Sequence, residues 1–174
     1  MVAPIFVLLG VLGGYVLLPE SIDKASLAEL DSSSYAVVGG SELVRLDQQK
    51  VFYPDFRMEY SDGGISWESF RPRVAVSGSV RGDLWAGAGV DYEKYWSIDA
   101  NRAIFAGLNF LPGLYRPGQI HLGSVVEFRS QLEVGVVQKG NWRLSAYIEH
   151  RSNANITRLN PGIEAVGMNF GFHL

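Results

Sequence analysis

From Tyr35 onward, apolar and polar residues alternate with a period of two, the spacing of β-strands whose two faces meet different surroundings. Phe52, Pro54, Phe56, Met58 and Tyr60 alternate with Tyr53, Asp55, Arg57 and Glu59. The same alternation sets Phe70, Pro72, Val74 and Val76 against Arg71, Arg73 and Ser77, and Leu84, Ala86, Ala88, Val90 and Tyr92 against Trp85, Gly87, Gly89 and Asp91. Farther on, Val126, Phe128, Leu132, Val134 and Val136 oppose Glu127, Arg129, Gln131 and Glu133. Turn residues stand between these runs at Ser61-Asp62-Gly63-Gly64, Arg81-Gly82-Asp83 and Lys139-Gly140-Asn141. The pattern predicts eight strands, over 35–46, 50–61, 66–81, 83–96, 103–115, 122–138, 141–153 and 161–174. The first and fifth carry the weakest alternation, and Leu111-Pro112-Gly113 with Arg116-Pro117-Gly118 predicts that 97–121 is partly loop.

A soluble β-sandwich hides its apolar faces inside, whereas a membrane barrel turns them outward and keeps polar residues in its lumen. Strand periodicity does not separate the two. Strand length favours the barrel, because the longer apolar faces reach the roughly 9–11 tilted residues needed to cross a bilayer core. Charges of both signs (Arg57, Glu59, Arg71, Arg73, Asp91, Glu127, Arg129, Glu133, Arg143, Glu149) recur on the polar face, as in a lumen closed by ion pairs. Aromatic residues near strand ends (Tyr92, Tyr95, Trp96, Trp142, Phe170, Phe172) suit the girdles at the two membrane interfaces. The expected fold is all-β: an eight-stranded antiparallel transmembrane β-barrel over 35–174. It is preceded by a hydrophobic signal-like or anchor segment and linker over 1–34.

Within that first segment, residues 5–18 form an uninterrupted apolar run of signal-peptide length, and Ser26-Leu27-Ala28 offers a small-x-small cleavage site. No Lys or Arg precedes the run, so an export signal and a retained segment are both open. A net charge of −3 gives no reason to expect a nucleic-acid partner. The absence of cysteine excludes thiolate catalysis, disulfides and sulfur-ligated metals. His121 and His173 lack acidic partners at ligand spacing, so neither a metal nor an organic cofactor is expected. Ser21-Ile22-Asp23-Lys24 has Ser-x-x-Lys spacing but lies in the linker, and Gly87-Ala88-Gly89 lacks the remainder of a nucleotide-binding fingerprint.

The chemistry-bearing residues lie near the C-terminus. His150 and Ser152 are two apart and share a strand face with Trp142, Leu144, Ala146 and Ile148. Glu164 heads a second apolar stripe, Val166, Met168, Phe170, Phe172 and Leu174. A base, a nucleophile and an orienting carboxylate thus fall on the membrane side of the strands. A His–Ser pair at this spacing is by itself more often structural than catalytic. The combination with Glu164 on the same side makes a triad worth testing.

His150-x-Ser152-Asn153-Ala154, followed by Asn160 and Gly162-Ile163-Glu164 before a terminal strand, resembles the signature of the PagL-type outer-membrane lipid A 3-O-deacylases. Leu122-Gly123-Ser124 and Phe128 extend the similarity upstream. The resemblance implies a serine esterase that hydrolyses the 3-O-linked hydroxyacyl chain of lipid A. In it Ser152 is the nucleophile, His150 the general base and Glu164 the carboxylate that orients the imidazole. It also implies an oxyanion hole made by the Asn160 side chain and a backbone amide a few residues after the serine. That stretch commonly carries Gly where this chain has Asn155, a residue that tolerates positive φ. Asn153 is a second candidate for orienting substrate or for a structural role.

The implied partners are lipopolysaccharide and membrane lipid, with a homodimer as an option. The implied location is the outer membrane of a bacterial cell, the virion of a bacterial virus being the alternative. Arg151 and Arg158 are candidates for the lipid A phosphates, or for solvated or lumen-paired charges. Two other functions fit the same strands. One is a non-catalytic lipopolysaccharide-binding or structural barrel; the other is a soluble lipid-binding barrel with its apolar faces inward.

Overall fold

The computed structural model describes residue 30 and residues 33–44, 52–65 and 70–174. Eight strands follow one another: β1 (Tyr35–Val44), β2 (Phe52–Ser61), β3 (Phe70–Ser79), β4 (Leu84–Ser97), β5 (Arg102–Arg116), β6 (Val126–Gln138), β7 (Trp142–Ser152) and β8 (Ile163–His173). Each pairs antiparallel with the next, and β1 closes on β8 through Tyr35↔His173 to Val44↔Glu164. The sheet is therefore a closed barrel with no free edge. The question of residues 1–29, export signal or retained segment, lies outside the described residues.

Alternation decides the two faces. Arg57, Glu59, Arg71, Arg73, Arg129 and Arg143 are buried, while their neighbours Phe56, Met58, Val74, Val76, Leu144 and Phe170 are exposed. A large apolar outer wall around a charged interior is the arrangement of a membrane barrel. Met58 lies mid-strand on this wall and is 64% exposed. Met58→Arg should lower stability in lipid vesicles by about 2–4 kcal/mol, read as a drop in the urea midpoint. A barrel with that face in water would be indifferent to the change.

The interior is closed rather than porous. Arg57, Arg71, Arg73, Arg129, Arg143 and Arg151 face Asp55, Glu59, Asp91, Glu93, Glu127, Glu133 and Glu149. Glu59 is the hub of the central pairs. It accepts both Arg129 terminal nitrogens at 2.9 and 3.0 Å, Arg73 Nε at 2.6 Å and Arg57 Nη1 at 3.3 Å. Glu93 takes Arg71, Arg143 and the Tyr95 hydroxyl. Arg143 also lies over Tyr35, 3.7 Å from the ring centre. Apolar plugs close both ends. Leu43, Trp85, Leu111, Tyr115, Ile120 and Leu122 form one; Leu30, Tyr95, Ala103, Phe105 and Val137 form the other. The end carrying connections 80–83, 117–125 and 153–162 is termed the upper rim.

One expectation is refined and one needs correction. The partial loop expected within 97–121 falls at 98–101 and 117–121, while β5 runs unbroken from Arg102 to Arg116 through Pro112-Gly113. The β4–β5 ladder has register pairs on either side of Ala88–Gly89 and Leu111–Pro112 but not at them, so no ladder bond is asked of the proline nitrogen. Gly89 makes this possible: a Cβ there would lie 2.1 Å from the Phe110 carbonyl oxygen. Tyr95 is not a girdle residue. It shares odd parity with Asp91 and Glu93, and its ring packs inside, 6.0 Å from Phe105.

Candidate active site

β7 ends at Ser152 and β8 begins at Ile163, so the ten residues between them form a rim loop beside the last strand rows. His150 and Glu164 are direct partners across β7 and β8. Their side chains point outward, 28% and 31% exposed, and His150 Nδ1 lies 2.7 Å from Glu164 Oε1. A neutral imidazole donating from Nδ1 to that carboxylate carries its lone pair on Nε2, the tautomer that a general base requires. Gly162 closes over this ring. Its φ is +69°, and a Cβ there would meet His150 Cε1 at 3.1 Å. Only glycine both adopts that conformation and leaves the ring its room.

Ser152 follows two residues after His150 on the same face, half-buried and in register with Phe128. Phe128 stacks on Phe110, with ring centres 5.9 Å apart, so the serine stands at the top of an aromatic strip on the lipid side. The Ser152 hydroxyl has no hydrogen-bond partner among the described residues. Catalytic hydrogen bonds in substrate-free sites often form only when substrate closes them.

Directly after the serine the chain turns. Ile156 N donates to Asn153 O at 3.0 Å, and the two residues inside the turn, Ala154 and Asn155, have φ of 52° and 64°. Asn155 thus adopts the positive φ expected of it. Ala154 does so too, which no local pattern announced; left-handed conformation costs an alanine about 1–2 kcal/mol. The turn's own hydrogen bond engages neither inner amide. Asn160 braces the turn from the far side of the loop: its Oδ1 accepts from Asn153 N at 3.1 Å, and its Nδ2 donates to Asn155 Oδ1 at 3.0 Å.

The Asn153 side chain is buried inside the loop, with its amide nitrogen engaged and its Oδ1 without a partner among the described residues. Its Nδ2 donates to Leu122 O, Leu159 O and Thr157 Oγ1 at 2.8–3.0 Å. It pins the loop and is not turned toward the outer face. Arg151 is also interior, its guanidinium 2.6 Å from Glu149 Oε1 and 3.2 Å from Ser77 Oγ, so it belongs to the lumen network and not to a phosphate site. Arg158 is exposed on the rim loop.

Sequence reasoning did not find the support beneath this loop. Asp83 Oδ1 accepts from Tyr115 OH, Gly118 N and Ile120 N at 2.7–3.0 Å, and its Oδ2 accepts from Ser79 Oγ at 2.7 Å. That carboxylate fixes connection 117–125, whose Leu122 and Gly123 carbonyls hold Asn153 and Thr157. An Asp in a Gly-Asp turn reads as turn chemistry, and no local signal points to its distant partners.

Comparisons with known proteins agree with the barrel fold. A search of curated proteins finds no match. Among solved structures, the crystal structure of the outer membrane enzyme PagL superposes with a TM-score of 0.65 at 18% identity, covering 82% of this chain and 99% of that one. Neisserial surface protein A gives a TM-score of 0.53 at 8% identity over 82% of this chain and 96% of its own. A de novo designed transmembrane β-barrel gives 0.52 at 7% identity, with the same coverage of each chain. At such identities these likenesses establish the eight-stranded barrel alone. The family model described as lipid A 3-O-deacylase (PagL) matches residues 44–173, which include the whole of β2 to β8 and the rim loop. This chain therefore belongs to the lipid A 3-O-deacylase (PagL) family of outer-membrane β-barrel hydrolases.

Proposed function

We propose that this protein hydrolyses the 3-O-linked hydroxyacyl ester of lipid A with a Ser152–His150–Glu164 triad on its lipid-facing wall. The observation that carries the reading is the 2.7 Å His150–Glu164 hydrogen bond, placed outward at the rim two residues from a serine on the same face. An ordinary hydrolase keeps such a triad in an aqueous cleft. A nucleophile on the outside of a barrel, where apolar wall meets polar loop, suits a substrate that itself lies in the membrane. Outer-membrane barrels carry their longer loops on the outer surface, so the upper rim with 117–125 and 153–162 faces the lipopolysaccharide leaflet.

In the proposed reaction Ser152 Oγ attacks the ester carbonyl as His150 Nε2 takes its proton, and Glu164 stabilises the imidazolium that forms. The oxyanion is received by Asn160 Nδ2 and by the inner amides of the Ala154–Asn155 turn. Collapse expels the sugar 3-oxygen, which takes the proton from His150. Water then attacks the acyl-serine with His150 again as base, and the free hydroxy acid leaves. Exposed Arg158 reaches toward the phosphates of the sugar headgroup.

Mass spectrometry of lipid A after incubation with the detergent-folded protein tests the reading. Loss of one hydroxyacyl mass is expected. No loss with a folded, heat-modifiable barrel would leave a lipopolysaccharide-binding role instead. Asn160→Ala removes one oxyanion donor and should lower kcat by about 10²- to 10³-fold with little change in KM, measured on the same substrate.

A further inference from the structure

On β5 to β8 the outward residues are apolar except at the strand ends (Arg102, Arg116, Gln138) and at four other positions: Ser130, His150, Ser152 and Glu164. Three of these form the triad. Ser130 remains, half-buried between the interior residues Arg129 and Gln131, and directly across β6 and β7 from His150. Its neighbour on the other side is Phe110, and the next outward residues along β6 are Phe128 and Leu132. Its hydroxyl has no hydrogen-bond partner among the described residues. A lone hydroxyl facing acyl chains is unfavourable unless something polar meets it.

We infer that Ser130 binds the β-hydroxyl of the 3-O-linked acyl chain and so selects hydroxylated over plain acyl esters. The inference rests on the triad reading above and deepens it. Ser152 is paired with Phe128, so Ser130 is its diagonal neighbour, one row farther from the upper rim. An acyl chain whose ester sits at Ser152 descends in that direction, from sugar toward bilayer centre. Diagonal neighbours in an antiparallel pair lie about 7–8 Å apart. The ester carbon, the α carbon, the hydroxyl-bearing β carbon and one hydrogen bond fill that gap. A chain without the hydroxyl would leave Ser130 covered by hydrocarbon and unpaired, so the site discriminates against it. Its other neighbours in this region, Phe128, Phe110 and Leu132, offer only dispersion contact to either chain.

The test is steady-state cleavage of two matched lipid A substrates, one with the 3-O-linked β-hydroxyacyl chain and one with the same chain lacking the hydroxyl. Wild type, Ser130→Ala, Ser130→Thr and Ser152→Ala are compared, each shown to be folded by heat-modifiable gel mobility. Wild type should prefer the hydroxylated ester by about five- to tenfold in kcat/KM, as one hydrogen bond allows. Ser130→Ala should bring that ratio close to one, and Ser130→Thr should restore part of it. An unaltered ratio in Ser130→Ala would overturn the inference. So would equal slowing on both esters, which would make Ser130 a support for His150. Residual cleavage by Ser152→Ala would count against the triad reading, while the Ser130 ratio would still be read from the wild-type pair. A wild type inert on both esters would sink both.

Discussion

Ser152→Ala should reduce release of the hydroxyacyl chain from lipid A by about 10⁴- to 10⁶-fold, the scale of removing a serine nucleophile from a triad. The variant should still fold, because Ser152 is half-buried on the outer wall and its hydroxyl holds no other group among the described residues. His150→Ala should cost a comparable factor, and the double variant little more than either alone, since the two act as one unit. Glu164→Ala should be milder. The carboxylate sets the imidazole tautomer through the 2.7 Å bond, but it does not touch the reacting carbon. Rates for all four variants come from the disappearance of intact lipid A by mass spectrometry, beside gel mobility with and without heating. Independent, additive losses at Ser152 and His150 would contradict a triad even if each variant were slow.

Much of this arrangement was legible because a barrel strand has only two sides. Once the parity of Arg57 and Glu59, or of His150 and Ser152, is known, the medium each faces follows. Glu164 falls opposite His150 because the rim loop sets the β7–β8 register, and the sequence places it at the head of the last apolar stripe. Parity is also decisive for Tyr95, which suits a girdle by residue type, yet its odd position beside Glu93 puts it inside. Pro112 argued for a loop because a paired strand normally needs its N–H. The missing ladder pairs opposite Ala88–Gly89 depend on how close two strands approach, which neither strand's own pattern records. The loop residues were least legible. Asn153 and Asn160 are alike in sequence, but one amide is consumed by carbonyls at 122 and 159 while the other braces the turn after Ser152. Only the folded path of connections 117–125 and 153–162 distinguishes them.

Glu59→Leu should destabilise the barrel by about 3–5 kcal/mol, because it strips buried guanidinium groups of their shared counter-charge. The loss is unequal among the three partners. Arg73 keeps Asp91 at 3.0 Å, and Arg57 keeps Glu149 and Gln131, each at 2.8 Å. Arg129 loses a two-pronged bond and retains Asn109 at 3.4 Å, a 3.8 Å approach to Glu149 and the Trp85 ring at 4.9 Å, none of which replaces a close carboxylate. Its charge, fully enclosed between the two apolar plugs, dominates the cost. Replacing both residues, Glu59→Leu with Arg129→Leu, should therefore be less harmful than Glu59→Leu alone, because the charge left without a partner is removed together with its acid. Urea unfolding in lipid vesicles measures wild type, both single variants and the double variant on one scale. A double variant weaker than the sum of its single variants would show that the interior network acts by packing rather than by charge compensation. The expected order is wild type, then the double variant, then Glu59→Leu. Activity toward lipid A in the folded fraction should persist in the double variant, since the network lies inside the wall and the triad outside it.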